Sequence, residues 1–395
     1  MTNLPQGWEI RIIDVVCEIL DNKRIPISQK NRISGIYPYY GASGIVDYID
    51  KYIFDEELVL IGEDGAKWGA FENSAFIANG KYWVNNHAHI LKPNNEILIN
   101  RFLVYFLNFS NLEKYITGAT VKKLNQQKLR QIEVPIPPLK EQERIVGILD
   151  ESFAKIDESI KILEQDLLNL DELMQSALQK AFNPLKDNAK ENYQLPQGWE
   201  WKSLGEIAIT SSGGTPLRNK KEYWENGTIK WLKSGELKDD YIENVEEKIT
   251  EEAIKNSSAK IFSKGTLLIA MYGATAGKLG ILNLDSATNQ AVCAFLHKNK
   301  ANIKFFEKFI FYFFLSIRDR IIKDSFGGAQ PNISQTYIKN LQIPLPPLKE
   351  QKQIASYLDE LSLNIKALKE NYKIQIKDYE ELKKSLLKKA FEGRL

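Results

Sequence analysis

Several short stretches of this chain hold residue types that could do chemistry at close spacing. In the second half they are Ser211 Ser212 Gly213 Gly214 Thr215 Pro216, residues 230–236 around Trp231, and residues 271–278. The first half has Tyr37 Pro38 Tyr39 Tyr40 Gly41 Ala42 Ser43 Gly44 and residues 62–68, from Gly62 to Trp68. All read as polar, Gly-rich, aromatic loops. Glycine lets backbone N–H groups approach a phosphate, Lys and Arg neutralise it, and Asn, Gln, Ser and Thr can read base edges. Enzyme chemistry fits less well. Residues 273–278 lack one residue of a phosphate-binding loop and carry Leu279 where a magnesium-binding hydroxyl should stand. Glu236 and Lys238 form half of a metal-dependent nuclease pattern, with no Asp in residues 201–235 to complete it. His87 and His89 would face the same way on a strand, but no Cys, Asp or Glu follows them in ligand spacing. No Asn-Pro-Pro-aromatic or Asp-Pro-Pro-Tyr tetrad and no Phe-x-Gly-x-Gly loop occurs. The pattern points to binding, with no catalytic residue and no metal site.

Composition sets the frame for these loops. A chain of 395 residues, 43% hydrophobic and 26% charged, is long enough for two or three domains with their own cores. The formal charge of +2 neither announces nor forbids a nucleic-acid partner. Two distant cysteines, Cys17 and Cys293, and the lack of a signal-peptide pattern predict a soluble protein in a reducing cytoplasm. The longest apolar run, residues 309–317, is about half of the ~20 residues that a membrane-spanning helix needs.

The elements that must position the loops are written twice. Leu4 Pro5 Gln6 Gly7 Trp8 Glu9 returns as Leu195 Pro196 Gln197 Gly198 Trp199 Glu200, and residues 135–142 return as 344–351, from Pro344 to Gln351. From that second landmark the offset stays constant through Lys180 Ala181 Phe182 and Lys389 Ala390 Phe391. Each copy is therefore a globular part of variable length followed by a segment of fixed length. Short apolar strands such as residues 58–61 and 267–270, with an amphipathic helix near 100–116 or 303–323, give the globular parts an α+β (mixed α/β) character.

The fixed segment is predicted to be a helix. Pro137 Pro138 and Pro346 Pro347 fix its start, and no proline interrupts it before Pro184 or the chain end. Ile145, Leu149, Ile156, Ile160, Leu163 and Leu167 continue as a three-and-four-residue stripe, as do Ile354, Leu358, Leu361, Ile365, Leu368, Tyr372 and Leu382. Residues 140–182 hold 5 basic and 10 acidic side chains, residues 349–391 hold 10 and 7. Opposite charge favours pairing one copy with the other, and the short linker makes the pair antiparallel. The predicted organisation is a globular domain (1–138), long helix (139–182), linker (183–194), second domain (195–347), second helix (348–391) and tail (392–395). It amounts to a dumbbell with approximate twofold symmetry. Ile148, Phe153, Leu168, Leu363, Ile374 and Leu387 lie outside a narrow stripe and are read as a face for partner helices.

Taken together, the two Leu-Pro-x-Gly-Trp starts, the two Pro-x-Pro-Pro-Leu-x-Glu-Gln helix starts, Gly213 Gly214 Thr215 Pro216 with residues 231–236, and residues 37–44 resemble the specificity subunit of Type I restriction-modification enzymes. The resemblance spans essentially the whole chain. It implies two target recognition domains, each reading one half of a bipartite double-stranded DNA site, held apart by the paired helices. It also implies two methylating subunits that use S-adenosylmethionine, and two motor nuclease subunits that use ATP and magnesium. The chain itself would be non-catalytic, carry no cofactor and contact no membrane. The first domain lacks the Gly-Gly-Thr-Pro start and resembles a different recognition subfamily, so the half-sites should differ. Aligned loops then offer DNA contacts from Tyr39, Ser43, Lys67, Asn85, Asn86, His87, Lys122, Lys123, Asn125 and Gln126 in the first domain. In the second they offer Thr215, Lys233, Ser234, Tyr272, Thr275, Lys278, Asn289, Gln290, Gln330, Asn332 and Ser334. A coiled-coil scaffold without DNA contact would explain the helices but not the loop sets. A single-chain enzyme would need the missing motifs.

Overall fold

The computed structural model describes residues 4–118, 120–182, 195–298, 304–325 and 332–395. The expected linker at 183–194 lies outside them. The chain divides into two compact units, Met1–Gln165 with Tyr372–Leu395, and Asp166–Asn371.

The first unit is built on two four-stranded sheets. One runs Cys17–Ile19, Ala88–Pro93, Leu58–Gly62, Ala75–Ala78, all antiparallel. Its central strand, Leu58–Gly62, is apolar along its length because it is covered on both faces. The other runs Gly44–Ile49, Ser34–Gly41, Lys81–Val84, Phe54–Asp55, with one parallel pairing. A helix, Asn100–Phe109, buries six consecutive side chains from Phe102 to Leu107. It stops earlier than the periodicity suggests, since the Asn111 side chain accepts the Glu113 N–H at 3.0 Å and starts a separate turn. A small ribbon, Glu9–Ile12 with Glu133–Ile136, ties the start of the chain to the residues that lead into the long helix.

The second unit repeats this plan. A five-stranded sheet runs Ala208–Ser212, Val292–His297, Leu267–Ala270, Leu279–Leu282, Asp240–Ile242. A four-stranded sheet runs Lys248–Ile249, Ile229–Leu232, Ser286–Thr288, Ile261–Phe262. The ribbon is Glu200–Ser203 with Gln342–Leu345, and the helix is Glu307–Lys323.

Both long helices are continuous, Leu139–Phe182 and Leu348–Phe391. In the first unit they run antiparallel: Arg144 donates to the Leu395 carbonyl at 2.9 Å, Lys383 pairs with Asp157, and Phe391 packs on Phe102, Phe106 and Phe109. In the second unit Lys369 pairs with Asp171, and Phe182 packs on Phe309 and Phe313. Basic residues of one helix thus meet acidic residues of the other, as the charge imbalance predicts.

Three expectations need correction. Residues 37–41 are strand rather than loop, with Tyr39 and Tyr40 packed into different clusters on opposite faces of Ser34–Gly41. Leu368 and Leu382 belong to the apolar stripe by spacing yet are exposed, so the seam is narrower than the pattern. Leu387 is buried in the first unit's core and is unavailable as a docking residue. Phe153 is half-buried against Tyr105, and Ile148 is half-buried too, whereas Leu168, Leu363 and Ile374 are exposed.

Candidate nucleic-acid interface

In the second unit the loop after Ala208–Ser212 is held by packing, not left open for a phosphate. A Cβ on Gly213 would lie 2.0 Å from the Thr288 carbonyl oxygen, and one on Gly214 2.1 Å from Ser258 Oγ. The glycines are needed because the loop lies against two neighbouring segments, and the Gly214 N–H donates to the Thr288 carbonyl at 2.9 Å. Two indoles pin the same loop: Trp231 Nε1 donates to the Gly214 carbonyl at 3.0 Å, and Trp224 Nε1 to the Leu217 carbonyl at 3.1 Å. Thr215 is then exposed, with its hydroxyl donating to Gln290 Oε1.

Backbone bonds join these loops into one edge. The Asn289 N–H donates to the Leu232 carbonyl, Met271 to Ala291, and Ile333 to Met271. Tyr272 pairs with Asn332, and both are exposed. Thr215, Lys233, Ser234, Tyr272, Asn289, Gln290 and Asn332 are therefore brought together. Asn289 Oδ1 is buried without a hydrogen-bond partner among the described residues. Lys233 is not free: its amine donates to Glu247 Oε1 at 2.8 Å, while Arg218 Nη1 donates to Oε2 of the same carboxylate at 2.6 Å. The Arg218 bond, opposed by a smaller cost of burial and aided by Lys233, holds Glu247 below the usual carboxylate range.

Other expected contacts are structural. Lys278 donates to Asp239 at 2.8 Å, where Arg318 also binds. Thr275 closes the turn Gly273–Thr275, its carbonyl accepting the Lys278 N–H at 2.9 Å. Ser334 Oγ caps Gln335–Asn340 by accepting the Tyr337 N–H at 3.0 Å. Glu236 accepts the backbone N–H of Lys233 at 2.8 Å and of Glu246 at 3.2 Å, so it serves the loop. Gln330 lies outside the described residues.

The first unit shows the same mixture. Tyr39 is 1% exposed, and its hydroxyl accepts the Ile27 N–H at 2.9 Å, so it pins a loop and does not face outward. Asn85 is buried and its Oδ1 accepts the His87 N–H at 2.7 Å. Asn125 caps Gln126–Arg130 by accepting the Lys128 N–H at 2.9 Å. Ser43, Lys67, Asn86, His87, Lys122 and Gln126 are exposed, and Lys67 and Lys122 line one cleft. Gln126 reaches Asp21 at 3.1 Å, and His87 Nδ1 lies 2.5 Å from Asp64.

The two histidines do not share a strand face. Ala88–Pro93 begins after His87, and His89 points inward, with Nδ1 2.6 Å from Asp21 and Nε2 2.6 Å from the Leu124 carbonyl. Around it Arg24 pairs with Glu63 and Asp21, and Lys123 meets Glu63 at 2.7 Å. Asp21, Glu63 and His89 bring ligand atoms within 4.8 Å of one another, but these cations already satisfy the carboxylates. Burial works against charging both acids. Bonds from Lys123 and Arg24 to Glu63, and from His89 to Asp21, nonetheless bring both below the usual range. The network ties residues 21–24 and 62–64 to 87–89 and 123–126, and so fixes the exposed loops above it.

Sequence reading missed Arg24, Glu63, Arg218 and Glu247. Arg218 had a signal, standing two residues after Gly-Gly-Thr-Pro. The carboxylates had none, because their partners are distant in sequence.

The comparisons with known proteins point the same way. The family described as "Type I restriction modification DNA specificity domain" matches residues 5–167 and again 196–378. A Haemophilus influenzae protein named as a type I restriction enzyme specificity subunit is 31% identical, covering 98% of this chain and 97% of that protein. The MjaVIII specificity subunit of Methanocaldococcus jannaschii is 26% identical, over 99% and 94%. Among solved structures, the HsdS subunit from Thermoanaerobacter tengcongensis matches with a TM-score of 0.62 at 21% identity, over 100% of this chain and 98% of that one. A chain from a structure of the assembly and conformational transition of the type I R-M system matches with a TM-score of 0.73 at 21% identity, over all of both chains. With both copies matched and a relative above 30% identity along nearly its whole length, the chain belongs to the family of type I restriction-modification DNA specificity subunits, a non-catalytic one.

Proposed function

We propose that each unit reads one half of a bipartite double-stranded DNA target. The constant-length helices set the spacer and carry two methylating subunits, to which two motor nuclease subunits are added. S-adenosylmethionine, ATP and magnesium are then used by those partners in the cytoplasm. The observation that carries this reading is the twofold recurrence of one paired-sheet unit whose exposed polar side chains gather at a loop edge, Thr215, Tyr272, Gln290 and Asn332 in one copy and Lys67, Asn86, His87 and Lys122 in the other. Two differently furnished copies suit an asymmetric, two-part sequence. Among the described residues no helix is long and apolar enough to cross a membrane.

The test is reconstitution with the methylating subunits, followed by mapping of methylated adenines. The expected result is a two-part site, methylated only when the partners are present. Replacing residues 195–343 with the domain of a relative should change one half-site and keep the spacer. Methyl transfer by the purified chain alone, or a swap that alters both half-sites, would overturn the proposal.

A further inference from the structure

Arg218 is an exposed guanidinium held in a fixed pose. Its central carbon lies 3.8 Å from the centre of the Trp224 ring and 4.8 Å from that of Trp231. Those rings meet edge-on, centroids 5.1 Å apart, and their N–H groups grip the backbone on either side of Thr215. Glu247 takes one proton of Nη1, and no other acceptor among the described residues meets Arg218. The Nε and Nη2 donors, which lie along one edge of the planar group, meet no protein acceptor among the described residues. The side chain is 53% exposed.

A phosphate contact needs only charge, which a mobile lysine supplies. Contact with two mutually perpendicular indoles and a carboxylate buttress instead fix the plane of the fork, and this matters when two parallel acceptors must be met together. On DNA that pair is O6 and N7 of guanine in the major groove. The first unit holds an arginine over an aromatic ring in a related way, but there the Nε edge is spent on the Ile27 carbonyl at 3.2 Å and the side chain is only 20% exposed. Arg32 lies 4.5 Å over the Tyr39 ring and donates to Asp47 at 3.1 Å, and the Tyr39 hydroxyl pins the loop at Ile27. In both units the aromatic ring sits on the strand that pairs with its carboxylate's segment, Ser34–Gly41 with Gly44–Ile49 and Ile229–Leu232 with Lys248–Ile249.

We propose that Arg218 reads a guanine in the half-site of the second unit and that Glu247 is its positioning residue. The inference rests on the DNA-reading role proposed above. The half-site of the second unit, identified by exchange of residues 195–343, should contain a G·C pair at one fixed position. Mapping methylated adenines with complexes carrying Arg218→Ala, Arg218→Lys or Glu247→Gln tests this. Both Arg218 variants should relax that position alone, with discrimination falling roughly ten- to hundred-fold. Glu247→Gln should relax the same position less, and the other half-site should stay unchanged in all three. A half-site without an invariant G·C pair overturns the assignment. So does a uniform loss of methylation that Arg218→Lys restores, with a salt slope reduced by about 1, since that marks a phosphate contact. If Arg218→Ala fails to assemble, Arg218→Lys, which keeps the charge on the indoles, decides. Should the wild-type complex methylate no bipartite site, the DNA-reading proposal itself falls. A bipartite site indifferent to Arg218 removes this inference only.

Discussion

The side-chain amide of Gln142 donates to the Pro137 carbonyl at 2.9 Å, and Gln351 makes the same bond to Pro346 at 2.9 Å. Each glutamine also accepts a backbone N–H, from Ile99 or Phe306, and donates to a second carbonyl, of Ile97 or Lys304. One buried amide thus fastens the first turn of a long helix to the segment leading into the unit's own amphipathic helix. The recurrent Pro-x-Pro-Pro-Leu-Lys-Glu-Gln ending is explained by this weld. Replacing Gln351 by Ala leaves one N–H and two carbonyls unpaired in a buried site, at a cost of about 2–4 kcal/mol. Thermal or denaturant unfolding should show the loss. A change below about 0.5 kcal/mol would mean that water takes over the bonds.

A second repeated clamp joins the amphipathic helix to the long helix. The Tyr312 hydroxyl donates to Asp359 Oδ1 at 2.5 Å with Lys308 at 2.8 Å, and Tyr105 with Arg101 does the same to Asp150. Burial, then the neighbouring carboxylate, raises both phenols. Tyr312→Phe should destabilise the chain by about 1.5–3 kcal/mol, the worth of a hydrogen bond to a charged group. Pairing Tyr312→Phe with Asp359→Asn in a double-mutant cycle checks it, and additive effects would show that the two residues do not interact.

The repeat, the ends of both helices and their cross-pairing were legible in the sequence because proline positions, constant spacing and charge imbalance are local or countable. Which loop side chains face outward was not. Tyr39 looks like a loop aromatic, but strand alternation turns it inward onto Ile27, and Gly213 looks like a phosphate cradle but makes room for Thr288. Such placements depend on segments far away in sequence. Leu387 fails for a related reason: helical spacing tells which side chains share a face, but what covers that face is decided by the helix Asn100–Phe109 and its neighbours in the core.

Acid should weaken the first unit through Asp21 and Glu63. Both are held below their ordinary values in the folded chain, so the unfolded chain binds protons first as pH falls. Their contribution is complete at neutral pH, above the unfolded values near 3.8 and 4.5, and is lost as pH falls from there through the depressed folded values. Glu63→Gln should cost of order 3 kcal/mol at pH 7 and flatten the acid limb of a plot of unfolding free energy against pH. An unaltered limb would place the acid sensitivity elsewhere.

Cys17 and Cys293 should be inert in the folded chain. Both are free and buried, and burial pushes each thiol up to about 12. Iodoacetamide at pH 8 should label neither in the native state and both in denaturant, as counted by intact mass. Rapid labelling of one thiol under native conditions would show that its sheet opens locally.

The exposed leucines and isoleucine of the long helices separate docking from folding. Leu168, Leu363 and Ile374 are 59%, 68% and 53% exposed on elements whose opposite faces are packed, so charge placed there costs the isolated chain little. Leu387, at 8% exposed, packs in the core with Phe391 and Ala390, and Leu387→Glu should unfold the first unit by burying an unpaired carboxylate. Leu168→Glu, Leu363→Glu and Ile374→Glu together should leave the melting temperature within about 2 °C, given near-neutral surface substitutions in a chain of this size. Co-purification of the methylating subunits should fall with the same triple change. A triple variant that assembles as well as the wild type would show that these side chains face solvent in the complex, and that partners approach the helices from another side.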